Sequence, residues 1–325
     1  MIGAGGRPAG NRDPAALGRS GGDQRPVRPP RRLVIVGAGA VGGETTTVRQ
    51  APGSRMTLLV RGERLLPRME PFTGELVDQR LREASVDVRF HASVVASERV
   101  RDGDVRIALS DDDELTADEI LSATGRAPRS ADIGLGAVGL SPGDGLTTYD
   151  SLTIPGSWLY GPGDVNRRAL FTQRGKCQAR IAGAVIAARA RGERLDAGRW
   201  SPHTSTADIE AVAGVVFTDP EVASVGLTVH EAERAVDVID HDIGHFAGAL
   251  QYRPDYRGKA WILIDRDRRV GVGATFVGPG VGELLYSATV AITGEVPVER
   301  LWHAALAFPA ISEVWLRLLE KERHT

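Results

Sequence analysis

Three glycines, Gly37, Gly39 and Gly42, follow the apolar run Leu33–Val36 in the spacing G-x-G-x-x-G. That spacing suits a dinucleotide pyrophosphate. The first glycine permits a tight turn, the second lets the phosphates approach the backbone, and the third lets the next helix pack close to the strand. The helix N-terminus then faces the anion. A purely structural glycine turn shares the pattern; the strand before it and the β-α-β context favour a nucleotide. The ribose on the adenine side is read about 20 residues further on, at the end of the second strand. In "TLLVRGERLLPR" that place is held by Val60 and Arg61, with no carboxylate to accept from a 2′-hydroxyl. Arg61, with Arg64, suits a 2′-phosphate through charge-assisted hydrogen bonds. This favours NADP over NAD. The alternative for Arg61 is a solvated charge at a strand end.

The helix expected after the glycines carries a local conflict. It reads Thr45, Thr46, Thr47, Val48, then Arg49 to Pro52. β-Branched threonines are poor helix formers and proline ends the run, so a short helix and weakened nucleotide affinity are expected. Other chemistry-bearing residues are sparse. Cys177 is the chain's one cysteine, which excludes an internal disulfide or a multi-cysteine zinc site. It stands in a helical pattern and reads as a packed small residue rather than a redox thiol. His230, His241 and His245 show no metal-ligand spacing, and no metal is expected.

The elements that must hold these residues follow from periodicity. The chain has 325 residues, 42% hydrophobic and 25% charged, with net charge -2. That is enough for two or three domains with ordinary cores, and nothing in it suggests nucleic acid. No apolar run reaches the roughly 18 residues of a membrane helix, and a cytoplasmic protein is the default expectation. Residues 1–30 are rich in Gly, Pro and Arg and read as poorly ordered. From residue 32 the order is β-α-β-α-β followed by a β-meander, an α/β domain with a parallel sheet. The meander is read from the alternation in "VDVRFHASVVASERV" and "DVRIALSDDDELTADEILSATG". A helix is predicted from about 170 to 191, with Ile181, Ala184, Val185 and Ala188 on one face. A polar linker marks a boundary near 205. Strand-like composition begins at 215, and helices are predicted over 281–293 and 311–323.

Further segments fall into order with the glycine motif: "ADEILSATGRAPRSADIGLGAVGL", "SWLYGPGDVNRRALFTQRGKCQARIAG", "VVFTDPEVASVGLTVHEAE" and "FPAISEVW". Over about residues 30–320 the chain resembles the class I pyridine nucleotide–disulfide oxidoreductases, the family of dihydrolipoamide dehydrogenase, glutathione reductase and mercuric reductase. The resemblance implies an FAD domain interrupted by an NAD(P)H domain, then a C-terminal α+β dimerisation domain. It implies an FAD/NAD(P)H oxidoreductase that works as a homodimer. Gly37, Gly39 and Gly42 take the place of the nicotinamide-nucleotide motif, with Glu44 where the family often has an acidic residue near the nicotinamide. Thr124, Gly125 and Arg126 resemble the "ATGR" return to the FAD domain. Gly163 and Asp164 resemble the pair whose carboxylate meets the flavin ribityl chain; a turn or N-cap aspartate is the alternative.

The expected division is 1–30 a remnant of the FAD domain, 31–118 the NAD(P)-binding domain, 119–205 the C-terminal part of the FAD-binding domain and 206–325 the dimerisation domain. The family's first G-x-G-x-x-G, for FAD, and its C-x-x-x-x-C disulfide have no counterpart in the sequence. "GAGGRPAG" near the N-terminus resembles the segment closing the first half of the FAD domain, so a member lacking its first quarter, or a misassigned start codon, is expected. The acid–base element "HP-T-x-x-E" stands here as Phe308, Pro309, Ala310, Ile311, Ser312 and Glu313. Phenylalanine cannot transfer a proton. Glu313 remains as the candidate catalytic residue without an imidazole to orient, or as a helix N-terminal carboxylate. Two functions are carried forward. One is an oxidoreductase passing hydride from NADPH to FAD and on to a small acceptor such as a quinone, without disulfide reduction. The other is a catalytically silent dimeric NADP-binding or interaction protein.

Overall fold

The computed structural model describes residues 31–48, 54–100, 103–143, 145–232 and 235–324. The N-terminal segment 1–30 and Pro52, on which expectations were placed above, lie outside them. The chain divides into two compact units. The first comprises residues up to Gly125 with Val215–Val222 and Val277–Gly280; the second comprises the rest.

The first unit opens with β1 (Arg32–Val36), α1 (Ala40–Val48), β2 (Arg55–Leu59), α2 (Pro71–Glu83) and β3 (Asp87–Arg89). These continue into β4 (Val94–Arg99), β5 (Val105–Leu109), β6 (Glu114–Ala117) and β7 (Glu119–Ser122). The sheet order is β3-β2-β1-β7, all parallel. Ile35, Leu58 and Leu59 are fully buried, as strands covered on both faces require. Pro71 starts α2, where its missing N–H costs nothing, and Phe72, Val77 and Leu81 bury one face. Strands β4-β5-β6 form the antiparallel meander. Val105, Ile107, Leu109 and Ala117 pack with Val34, Leu59 and Ile120 in one cluster, which joins meander to parallel sheet. The alternating pattern predicted antiparallel strands through residue 125. The structure instead returns the chain to the parallel sheet at β7, beside β1. Asp118, between β6 and β7, fixes that switch. It accepts from the Arg32 guanidinium at 2.7 and 3.0 Å and from the backbone N–H groups of Arg31 and Arg32. Burial alone would raise the Asp118 carboxyl, but these donors together hold it below its ordinary value.

The second unit begins with turn-rich chain around a small core of Leu135, Leu146 and Ile154. A 3-10 turn at Asp164–Asn166 leads into α3 (Thr172–Ala190), then α4 (Ala207–Glu210). The remaining strands of the chain are β8 (Gly214–Val216), which runs into the stretch Val215–Val222 of the first unit, β9 (Val222–Gly226), β10 (Val236–Asp242), β11 (Lys259–Asp265) and β12 (Val270–Val277). They form one sheet in the order β10-β11-β12-β9-β8. The helices are α5 (Ala247–Tyr252), α6 (Leu285–Thr293), α7 (Val298–Leu301) and α8 (Val314–Glu322), the last lying against β10 and β11. Helix α8 buries Val314, Leu318 and Leu319 at helical spacing, and Trp315 meets Phe276 of β12 edge-on at 6.0 Å. The polar segment read as a linker is tied down within this unit, where Arg199 pairs with Glu210 and Glu295. No helix among the described residues is long and apolar enough to cross a membrane.

Candidate functional site

The glycine turn is fixed by sterics. Gly37 has φ +134°, and a Cβ there would stand 2.4 Å from the carbonyl oxygen of Ala123. A Cβ on Gly42 would stand 2.1 Å from the Gly37 carbonyl oxygen, so α1 starts as close to the turn as a backbone can. Gly39 has nothing within 4 Å of the Cβ position. Its open face is where an anion can reach the backbone and the first turn of α1. The Gly37 N–H donates to Leu59 O at 2.9 Å and Leu66 N–H to Ala38 O at 2.8 Å, which pins the turn to β2 and the loop after it.

Helix α1 has nine residues. Each threonine hydroxyl donates to the carbonyl four residues back: Thr45 to Val41, Thr46 to Gly42 and Thr47 to Gly43. Glu44 on this helix is half-buried and accepts from the Phe217 N–H at 3.0 Å. Arg61, just past β2, is exposed and makes no hydrogen bond or ion pair with another described residue. Arg64 donates to the Pro67 carbonyl at 3.0 Å. Of the two arginines, Arg61 therefore keeps its guanidinium free for an anion among the described residues, and the open turn could hold the pyrophosphate of a pyridine dinucleotide.

In the second unit, Gly163 has φ +88° and Asp164 begins the 3-10 turn. Asp164 is more than half exposed, and its carboxylate accepts from Arg126 Nη1 at 3.1 Å. The same Arg126 nitrogen donates to Leu170 O. Gly125, preceding it, has φ +133°. The second carboxylate oxygen of this exposed side chain could accept from a ligand hydroxyl.

Beneath this turn lies a buried polar network that periodicity did not single out. Gln178 Oε1 accepts from Gly163 N–H at 2.5 Å and from Asn166 Nδ2 at 2.8 Å, and Gln178 Nε2 donates to Asp208 at 2.7 Å. Arg174 pairs with the same Asp208 at 2.5 Å. The signal was available: Arg174 and Gln178 are polar residues in phase with Ala182, Val185 and Ala188 on the buried face of α3. Val185 and Ala188 are buried as the pattern implied, whereas Ile181 and Ala184 are half-buried. Cys177, on the same helix, is half-buried with a free thiol.

At the C-terminal element, Glu313 is 4% exposed while Phe308 is 76% exposed. Glu313 Oε1 accepts from Arg317 Nη2 at 2.5 Å, one helical turn on, and Oε2 has no partner among the described residues. Nearby on β10, His241 stacks on Phe246. Burial first, then the Arg317 charge, pushes its imidazole below the ordinary value.

The family profile described as "Pyridine nucleotide-disulphide oxidoreductase" matches residues 15–190, and its "dimerisation domain" profile matches residues 212–318. A mercuric reductase from Shigella flexneri is 31% identical over 88% of this chain and 49% of its own length. A dihydrolipoyl dehydrogenase from Halobacterium salinarum is 28% identical over 90% of this chain and 60% of its own. Among solved structures, LpdA from Mycobacterium tuberculosis superposes with a TM-score of 0.77 at 22% identity, covering 91% of this chain and 62% of that one. The HOCl-induced flavoprotein disulfide reductase RclA from Escherichia coli gives 0.76 at 22% identity, covering 90% and 65%. The chain thus spans about half to three-fifths of the length of these curated relatives. With both family profiles matched in order across most of its residues, the chain belongs to the pyridine nucleotide-disulphide oxidoreductase family.

Proposed function

We propose that the chain serves an NADPH-dependent flavoprotein oxidoreductase that passes hydride to FAD and then to a small acceptor such as a quinone, without disulfide reduction. The observation that carries this reading is the turn Gly37–Gly42, open at Gly39 and followed by the unpaired Arg61. In it, residues 31–118 bind the nucleotide, 119–205 contribute Arg126, Gly163 and Asp164 to the flavin site, and 206–325 form a homodimer contact. Exposed Tyr286 and Phe308 in that last segment support an apolar interface.

The chain's own residues have separate tasks. The backbone at Gly39 and the start of α1 neutralise the pyrophosphate. Arg61 selects the 2′-phosphate. Glu44, oriented by the Phe217 N–H, offers its second oxygen to an amide at the nicotinamide end. Asp164 accepts from a flavin hydroxyl in exchange for Arg126. Bound flavin supplies the ability to take a hydride and release its electrons to an acceptor. Phe308 cannot move a proton, and Glu313 is committed to Arg317, which favours an acceptor needing no proton from this element.

A catalytically silent NADP-binding dimer is the second reading, favoured by the closed Arg126–Asp164 pair. Incubation with excess FAD, gel filtration and a visible spectrum, followed by NADPH oxidation with a soluble quinone, separates the two. Retained flavin and turnover above the free-flavin background are expected. Absence of retained flavin sinks the first reading for this chain; turnover sinks the second.

A further inference from the structure

The flavin reading of Asp164 leaves unanswered what holds that carboxylate in place. We propose that Gln178 is the positioning residue of the Gly163–Asp164 turn, holding it by hydrogen bonds to Gly163 N–H and Asn166 while Asp208, itself paired with Arg174, locks its amide. This rests on the flavin reading for its purpose, though not for its geometry.

The turn closes on its own backbone, Asn166 N–H donating to Gly163 O at 3.1 Å and Arg167 N–H to Asp164 O at 3.2 Å, and Leu146 N–H donates to Val165 O at 2.9 Å, but none of these holds the Gly163 N–H that precedes Asp164. Gly163 at φ +88° has nothing within 4 Å of its Cβ position, so no packing presses on it. Asp164 is exposed, and its Arg126 partner is 55% exposed. The fixed points lie underneath. Gln178 is fully buried, and Asp208, Asn166 and Arg174 are each at most 9% exposed. Gln178 meets two donors with its oxygen and a carboxylate with its nitrogen, so its amide has one permitted orientation. Asn166 spans the turn, donating to Gly161 O at 2.8 Å and accepting from Arg168 N–H at 3.0 Å. Every polar atom of the Gln178 side chain is thereby used, and each bond is made away from water, where an unmade one is costly. Asp208 lies on α4, so the network ties the turn to chain more than 40 residues further on, with Arg174 supplying the balancing charge.

Amide hydrogen exchange and FAD titration on the full chain test this. Gln178→Leu keeps the size of the side chain and removes its bonds. Exchange across residues 161–168 is expected to accelerate about tenfold or more while β1 and β12 are unchanged, and FAD to bind about tenfold more weakly. Gln178→Glu guards against a variant that fails to fold. Its second oxygen faces the Asp208 carboxylate, with Arg174 the nearby cation and Asp164 on the turn above. At pH 8 the two carboxylates repel; at about pH 5 they can share a proton and rebuild both bonds. Protection of 161–168 is therefore expected to be lost at pH 8 and regained at pH 5, relative to the unmodified chain at the same pH. A residue that merely fills space would lower the melting temperature without this local, pH-dependent recovery. Unchanged exchange at 161–168 in Gln178→Leu, or no pH recovery in Gln178→Glu, overturns the proposal. If the unmodified chain binds no FAD while the exchange results hold, the flavin reading falls and the positioning role is supported.

Discussion

Two glycine turns carry the candidate chemistry, and they are built in opposite ways. The turn Gly37–Gly42 is held by backbone contact alone: two of its glycines touch carbonyl oxygens so closely that no side chain fits. The turn at Gly163–Asp164 has open space around its glycine and is tied to side chains further along the chain, Gln178 and Asp208, 15 and 45 residues beyond Gly163. A turn made by exclusion tolerates little change at its own positions and is indifferent to distant ones. A turn made by hydrogen bonds tolerates change at its surface and is vulnerable underneath.

The largest expected effect is underneath the second turn. Asp208→Ala leaves Arg174 buried without its counter-charge, and a loss of about 3–5 kcal/mol in unfolding free energy is expected. Denaturant unfolding checks it. A loss below 1 kcal/mol would mean the network is ornamental, and the contrast between the turns would fail.

At the first turn, Gly42→Ala is expected to cost about 3 kcal/mol, because its Cβ meets a backbone carbonyl that cannot move aside. Gly39→Ala sharpens the point. With open space around it, stability should shift by no more than about 0.5 kcal/mol, while NADPH affinity falls about tenfold through loss of close phosphate approach. Equal stability losses at the two positions would contradict the separate roles assigned to them.

A smaller effect concerns the strand switch at Asp118. Its folded carboxyl lies below the ordinary value, because the Arg32 and backbone donors outweigh burial. Such a group adds stability above its unfolded value and loses it as pH falls through the folded value. Acid titration of unfolding should therefore show a loss in the acid range that is smaller in Asp118→Asn, with the variant already weaker at neutral pH. Identical acid profiles would remove Asp118 from the account.

This contrast also explains what was legible in the sequence. Gly37, Gly39 and Gly42 could be read because a backbone-made turn writes its requirement at its own positions. The strands around it, α3 and the two C-terminal helices could be read because burial imposes period 2 or 3.6. β7 could not: its alternation resembles the meander, and its parallel place beside β1 depends on a tertiary ion pair between Arg32 and Asp118, 86 positions apart. The Gln178 network was hidden for a related reason. Its four side chains come from three segments, Asn166 on the turn, Arg174 and Gln178 on α3 and Asp208 on α4, and their pairing exists only once these are packed. Glu313 was read as a residue without an imidazole, and the structure supplies its actual partner, Arg317. An i,i+4 spacing allows that pair on a helix, but the sequence alone does not say whether Glu313 faces Arg317 or an acid–base partner.

The proposed function rests on the first turn holding a nicotinamide nucleotide whose 2′-phosphate meets Arg61. Calorimetric titration of the full chain with NADPH and with NADH, repeated for Arg61→Ala, tests it most directly. NADPH is expected to bind about tenfold or more tighter than NADH, with the preference erased in Arg61→Ala and the NADH affinity unchanged. Equal affinities for the two nucleotides, or no binding of either, would contradict it.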